Sequence, residues 1–170
     1  MPIGLWLVIL FNIGSCQDEV VEPKDPVVST FYLIRHAEKD RSNPENRDPE
    51  LNQEGLGRAL KWGEVFEPVA LDAIYSTNYE RTTMTAAPVS VKKDIDVKFY
   101  DPNTLNIEEF LQTNAGKNVL IVGHSNTTPE MTNRLLGTQE YTDMDDSDNS
   151  SLFIVRVIDG KATAMRINVH

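Results

Sequence analysis

Between residues 30 and 136, short apolar runs of strand length alternate with amphipathic stretches of helix length. No other feature constrains the fold of this chain as strongly. Residues 30–34 (TFYLI) and 119–122 (VLIV) are apolar and rich in β-branched or aromatic side chains, the pattern of strands buried on both faces. Residues 73–75 (AIY) form a further short strand closed by Ser76, and 95–100 alternate well enough for another. Between the first two strands in sequence, Asn52 can cap a helix starting at Gln53. Its Leu56, Ala59, Leu60, Gly63 and Phe66 make one apolar stripe. The spacing predicts further helices over 79–87, stopped by Pro88, from Thr104 or Asn106 to Gly116, and one with Pro129 in its first turn running to Leu136. Residues 152–158 and 162–169 read as a terminal hairpin turning at Asp159-Gly160. The expected architecture is α/β: a three-layer α/β/α sandwich with a mostly parallel sheet and a C-terminal hairpin.

The 170 residues, 40% of them hydrophobic, suffice for one domain with a real core. Acids outnumber bases 26 to 16, and a surface with a formal charge of -10 repels phosphate backbones, so nucleic acid is not an expected partner. No P-loop or glycine-rich dinucleotide signature is present. The single cysteine cannot close an internal disulfide.

That cysteine has another reading. Residues 1–16 carry no charged side chain, and 5–13 are almost continuously apolar before Gly14-Ser15-Cys16. The run is too short for a mature transmembrane helix and suits a signal-peptide core over 1–15, although a basic n-region is missing. Small residues before a cysteine resemble a bacterial lipobox, in which the Cys16 thiol is lipidated and becomes the new N-terminus. The expectation is a lipid-anchored protein of the bacterial cell envelope, facing the periplasm. Residues 16–29, with Pro23 and Pro26 among charges, then serve as a tether to a domain over 30–170.

Open α/β sheets bind ligands outside the carboxyl ends of their strands. In this chain those ends carry Arg35-His36, Ser76 with Arg81 soon after, Asp101, and His124. Grouped, they make a small basic cavity in an acidic protein. Two guanidinium forks can hold phosphoryl oxygens in bidentate fashion, and a neutral imidazole is a competent nucleophile toward phosphorus. A second imidazole would stabilise equatorial oxygens, and a carboxylic acid would protonate the leaving alkoxide and then activate water. Asp101 stands at the correct edge for the acid. No HxH, HExxH or CxxC arrangement points to a metal, and no GxSxG elbow points to a serine hydrolase. Neither a metal nor another cofactor is expected.

Arg35-His36-Ala37-Glu38 resembles the RHG/RHA-E signature of the histidine phosphatase superfamily, which includes the phosphoglycerate mutases and phosphohistidine phosphatases. Ser76 followed by Arg81-Thr82-Thr83-Met84-Thr85-Ala86 resembles its second block, and Gly123-His124-Ser125-Asn126 its third. Asp48-Pro49-Glu50-Leu51-Asn52-Gln53-Glu54-Gly55 is similar to the D-x-x-L-t-x-x-G stretch between them. The resemblance implies His36 as the phosphorylated nucleophile, with Arg35, Arg81 and His124 forming the phosphate pocket. Members often carry an asparagine six residues after the nucleophile. Here Ser42 holds that position with Asn43 beside it, and both are candidate phosphate ligands. Asp101 is the best match for the acid, with Glu108 and Glu109 as fallbacks. Glu38 is read as an orienter of an arginine or of the loop, Ser76 as a supporting hydrogen-bonding group, and Thr85 as a structural residue. Ser125 and Asn126 either donate to phosphate or cap the following helix.

The short domain lacks the insertions of the mutases, which points to hydrolysis of a small phosphorylated substrate. The alternatives are a protein phosphohistidine phosphatase and a non-enzymatic phosphate- or phosphosugar-binding envelope lipoprotein. Glu140 to Asp148, with five acids in nine residues, is expected to be a solvated loop. Nothing in the sequence sets an oligomeric state.

Overall fold

The computed structural model describes residues 25–170, so the leader, Cys16 and most of the expected tether lie outside the described residues. The elements follow as β1 (Val28–Arg35), α1 (Gln53–Val65), β2 (Ala73–Ser76), α2 (Glu80–Lys93), β3 (Val97–Phe99), α3 (Ile107–Thr113), β4 (Asn118–Gly123), α4 (Thr127–Leu136), β5 (Ser151–Ile158) and β6 (Lys161–Asn168). They build one six-stranded sheet in the order β3-β2-β4-β1-β5-β6. Strands β3, β2, β4 and β1 run parallel, and the β5–β6 hairpin adds on antiparallel to β1. Its two-residue turn has Asp159 at φ 48° and Gly160 at φ 80°, the left-handed pair that matches strand twist.

The alternating faces of β1 and β4 feed two cores. Phe31, Leu33, Val119 and Ile121 meet Phe110 of α3 and Met131 and Leu135 of α4 on one side. On the other, Ile34, Leu120 and Val122 meet Trp62 of α1 and Ala86 and Val89 of α2, together with Phe66 just past α1. Each fully buried aliphatic or aromatic side chain contributes roughly 1.5–3 kcal/mol, and the central strands contribute on both faces at once. This accounts for their unbroken apolar sequence.

Three local expectations give way to packing. β1 begins at Val28 rather than Thr30, because β5 is long enough to pair Val28 with Ile158 and Ser29 with Val157. α1 turns a partly different stripe inward: Ala59, Gly63 and Phe66 are buried as expected and Gly55 and Trp62 join them, while Leu56 and Leu60 are 39% and 61% exposed. The large Trp62 sets that rotation, and Gly63 lies so close to Pro88 that a Cβ there would stand 3.3 Å from the proline ring. The same contact carries α2 through Pro88 to Lys93 instead of ending it. A proline inside a helix loses one backbone hydrogen bond and costs about 3 kcal/mol. Burial of Ala86 and Val89 on either side offsets that cost.

Candidate active site

All four parallel strands end on one edge of the sheet, and the site is assembled there. Arg35 pairs in register with Gly123, so the residues that follow, His36 and His124, leave adjacent strands side by side. Their ring centroids are 5.4 Å apart. The close approach depends on Gly123: a Cβ there would meet the hydroxyls of Thr127 and Thr128 at 2.9 Å.

His36 is 3% exposed and held on every side. Its N–H donates to Gly123 O at 2.9 Å, and its carbonyl accepts from Asn149 Nδ2 at 2.8 Å. Nδ1 lies 2.7 Å from Ala37 O, which can only accept, so Nδ1 carries the proton and Nε2 keeps its lone pair. Burial, reinforced by Arg35, His124 and Arg81, lowers the imidazole to about 3, although the bond to Ala37 opposes the shift. The ring is therefore neutral at neutral pH, as a nucleophile must be.

His124 is lowered to about 4 by burial and then by Arg81, Arg35 and Lys39. Arg81 Nη2 sits 3.5 Å from its Nδ1 and can only donate, which places the ring proton on Nε2, 2.9 Å from Thr77 Oγ1. Thr77 passes the chain on to Thr82, whose hydroxyl ends on the carbonyls of Thr77 and Tyr79. Tyr79 stacks edge-on against His124 at 5.0 Å and lies under the Arg81 guanidinium at 4.3 Å.

Each arginine has a carboxylate behind it. Asp48 Oδ1 lies 3.1 Å from Arg81 Nη1 and also accepts the Glu80 N–H, capping α2 at the turn that presents Arg81. Asp146 Oδ1 lies 2.7 Å from Arg35 Nη2. The Nε–H of both arginines is buried without a partner. Lys39 lines the same cleft and has no carboxylate within ion-pair distance among the described residues. Burial and the neighbouring arginines push its ammonium down. The cleft, about 680 Å³, also receives Tyr100, Asp101 and Asn103 from the turn after β3.

Of the residues singled out from sequence, Arg35, His36, Arg81, Asp101 and His124 all line this cleft. Ser42 and Asn43 do not. Ser42 is tied to both oxygens of Asp40, and Asn43 caps its own turn at Glu45, so the loop uses these side chains up locally. Glu108 and Glu109 lie in the first turn of α3, where Asn106 caps their N–H groups, and neither lines the cleft. Glu38 orients an arginine, namely Arg58 of α1, with Nε at 2.7 and 2.9 Å from its two oxygens. Ser76 is fully buried and donates to Thr77 O, so it is Thr77 that reaches His124. Thr85 accepts the Ala37 N–H at 2.9 Å and donates to Arg81 O at 2.7 Å, joining the loop after β1 to α2. Ser125 and Asn126 line the cleft, and Asn126 makes no capping bond to α4.

The acidic stretch is the exposed loop its composition suggests, with Glu140, Asp143, Asp145 and Asp146 all exposed, but it is also tied to the site. Met144 is buried, Asp148 grips Ser150, Ser151 and Arg166, and Asp146 reaches the cleft. Sequence reasoning also passed over Lys39, Thr77, Asp48 and Asn149. Only Asp48 had a signal, its place at the head of a recognised motif.

The family model of the histidine phosphatase superfamily (branch 1) matches residues 31–102, the stretch that contributes His36, Arg81 and Asp101. That match agrees with the resemblance to the superfamily carried by the three motif blocks. The fold recurs in solved structures of low identity. A mycobacterial glucosyl-3-phosphoglycerate phosphatase is 14% identical with a TM-score of 0.67, covering 84% of this chain and 100% of that one. A phosphoserine phosphatase mutant from Entamoeba histolytica, solved with phosphoserine, is 14% identical with a TM-score of 0.65, covering 82% and 96%. The protein histidine phosphatase SixA, solved with tungstate, is 12% identical with a TM-score of 0.64, again covering 82% and 96%. No curated protein matches the sequence significantly.

Proposed function

We propose that this protein is a member of the histidine phosphatase superfamily and hydrolyses a small phosphomonoester without a metal, through a phosphohistidine on His36. The observation that carries the reading is the Nδ1–H bond to Ala37 O, which leaves Nε2 unprotonated beside two arginines. In the first step the Nε2 lone pair attacks phosphorus in line, the P–O bond to the leaving group breaks, and Asp101 gives that oxygen a proton. In the second, Asp101 takes a proton from water as its oxygen attacks phosphorus. The P–N bond breaks, its electron pair returns to Nε2, and inorganic phosphate departs. Arg35 and Arg81 bind the equatorial oxygens, and each such charge-assisted hydrogen bond contributes about 1.5–3 kcal/mol. His124 becomes a third donor once the incoming dianion raises its affinity for a second proton. Asp101 is favoured over Asp146 as the acid because both arginine partners of Asp146 hold it ionised.

The cleft is open and the fold carries no additional domain among the described residues, which suits a phosphoryl group presented on many leaving groups. A protein phosphohistidine is the second reading, favoured by the likeness to SixA. We place the enzyme in the bacterial envelope, anchored through Cys16, on the strength of the leader sequence. Release from membranes by Cys16→Ser tests that placement.

Turnover of 4-nitrophenyl phosphate that survives EDTA and disappears in His36→Ala is the expected result for the catalytic reading. Asp101→Asn should slow alkyl phosphates far more than the aryl ester, whose leaving group needs no proton. A folded wild-type chain without turnover of the aryl ester refutes the reading and leaves a phosphate-binding protein.

A further inference from the structure

Arg35 is 2% exposed, and most of its guanidinium is already engaged. Nη1 donates to the carbonyls of Asp145 and Asp148 at 3.0 and 3.2 Å, and Nη2 donates to Asp146 Oδ1 at 2.7 Å. A guanidinium has five N–H groups. Those left over are the buried, unpartnered Nε–H and the second hydrogen on Nη2. These two are the donors that Arg35 has left to offer a phosphoryl group.

The loop that holds the other donors is itself fixed at both ends. Met144 N donates to Ser125 O at 2.8 Å beside His124. Asn149, next after Asp148, donates to the carbonyl of His36. The second oxygen of Asp146 is tied down by Arg41 Nη2 at 2.7 Å.

We propose that Asp146 is a positioning residue of the phosphate site, setting the rotation of the Arg35 guanidinium so that its free donors face the phosphoryl group attacked by His36. This rests on the reading of Arg35 as a phosphate ligand. The rival physical effect has the opposite sign. A carboxylate on Arg35 adds negative charge beside an incoming dianion, so on charge alone its removal tightens phosphate binding. Geometry predicts weaker binding, and the two are separable by experiment.

The test uses the full chain, with inorganic phosphate binding followed by calorimetry and 4-nitrophenyl phosphate turnover followed alongside. Asp146→Ala is expected to weaken phosphate binding and lower kcat/KM by about 10- to 100-fold, the range for a hydrogen bond to a charged group. Asp146→Asn keeps an oxygen acceptor at the same reach and recovers most of that loss. In an Arg35→Ala background, Asp146→Ala changes phosphate binding by less than about 2-fold, because the residue it positions is gone. Equal or tighter phosphate binding by Asp146→Ala overturns the proposal, as does an additive effect in the Arg35→Ala background. Asp146→Ser, whose hydroxyl is too short to hold Arg35, replaces the alanine variant if that one does not fold. A wild-type chain that binds phosphate without turnover refutes the phosphatase reading alone, and the binding cycle still decides the role of Asp146. A wild-type chain that binds no phosphate overturns both.

Discussion

Lowering the pH from 7.5 to 5 should leave both active-site imidazoles neutral. An unperturbed histidine, at 6.5, is only about 3% neutral at pH 5. His36 is lowered to about 3 and His124 to about 4, so at pH 5 roughly nine-tenths or more of each ring keeps its lone pair. The neutral fraction at pH 5 therefore exceeds that of an ordinary histidine by about 30-fold. The physical cause is burial at the sheet edge among cations, which makes a charged imidazole costly. Heteronuclear NMR of histidine-labelled protein measures this directly, and His36→Ala and His124→Gln assign the resonances. An active-site ring that titrates between pH 6 and 7 in the unliganded protein refutes the reasoning.

The same shifts bear on stability. The folded-state values lie below the unfolded value, so between pH 6.5 and about 4 the unfolded chain binds two protons that the folded chain does not. This contribution is fully present above pH 6.5 and is lost as pH falls toward the folded values. Its slope is at most about 2.7 kcal/mol per pH unit while both rings are protonated only in the unfolded state. Urea midpoints at pH 7.5, 6 and 5 should fall in that order. Saturating phosphate should raise His124 and flatten the dependence.

Gly55→Ala should destabilise the fold by at least about 1–3 kcal/mol, because the new Cβ would lie 2.1 Å from the backbone oxygen of Glu38. Thermal denaturation checks it, and an unchanged midpoint would show that α1 can shift away from the loop after β1 without loss. Thr85→Val should cost about 1–3 kcal/mol by stranding the buried Ala37 N–H. It should also lower kcat, since the Ala37 carbonyl sets the His36 tautomer. Thr85→Ser keeps the hydroxyl and should restore both, so a serine variant as damaged as the valine one would refute this role.

Strand ends were the most legible part of this chain. A run such as 119–122 fixes its own conformation through burial on both faces, and the residue after it is at the sheet edge by necessity. His36 and His124 therefore meet whatever the loops do. Loop chemistry was not legible in the same way. Ser42 occupies a promising position by count, yet Asp40 two residues earlier captures both its N–H and its hydroxyl. Local competition of this kind depends on a turn geometry that spacing does not encode. The acidic run was legible in its exposure but not in its partners. Five acids in nine residues read as solvation, but charge density does not say where the cations are. Arg35, Arg41 and Arg166 come from three different segments and converge on Asp146 and Asp148 only after the sheet has formed. The net charge of -10 and the basic cleft are thus compatible: part of the acidity is spent in holding the arginines that face the ligand. With Asp48 behind Arg81 and Asp146 behind Arg35, the site holds its cations in place before an anion arrives. Such preorganisation lets each arginine act on the transition state without first being gathered from solvent.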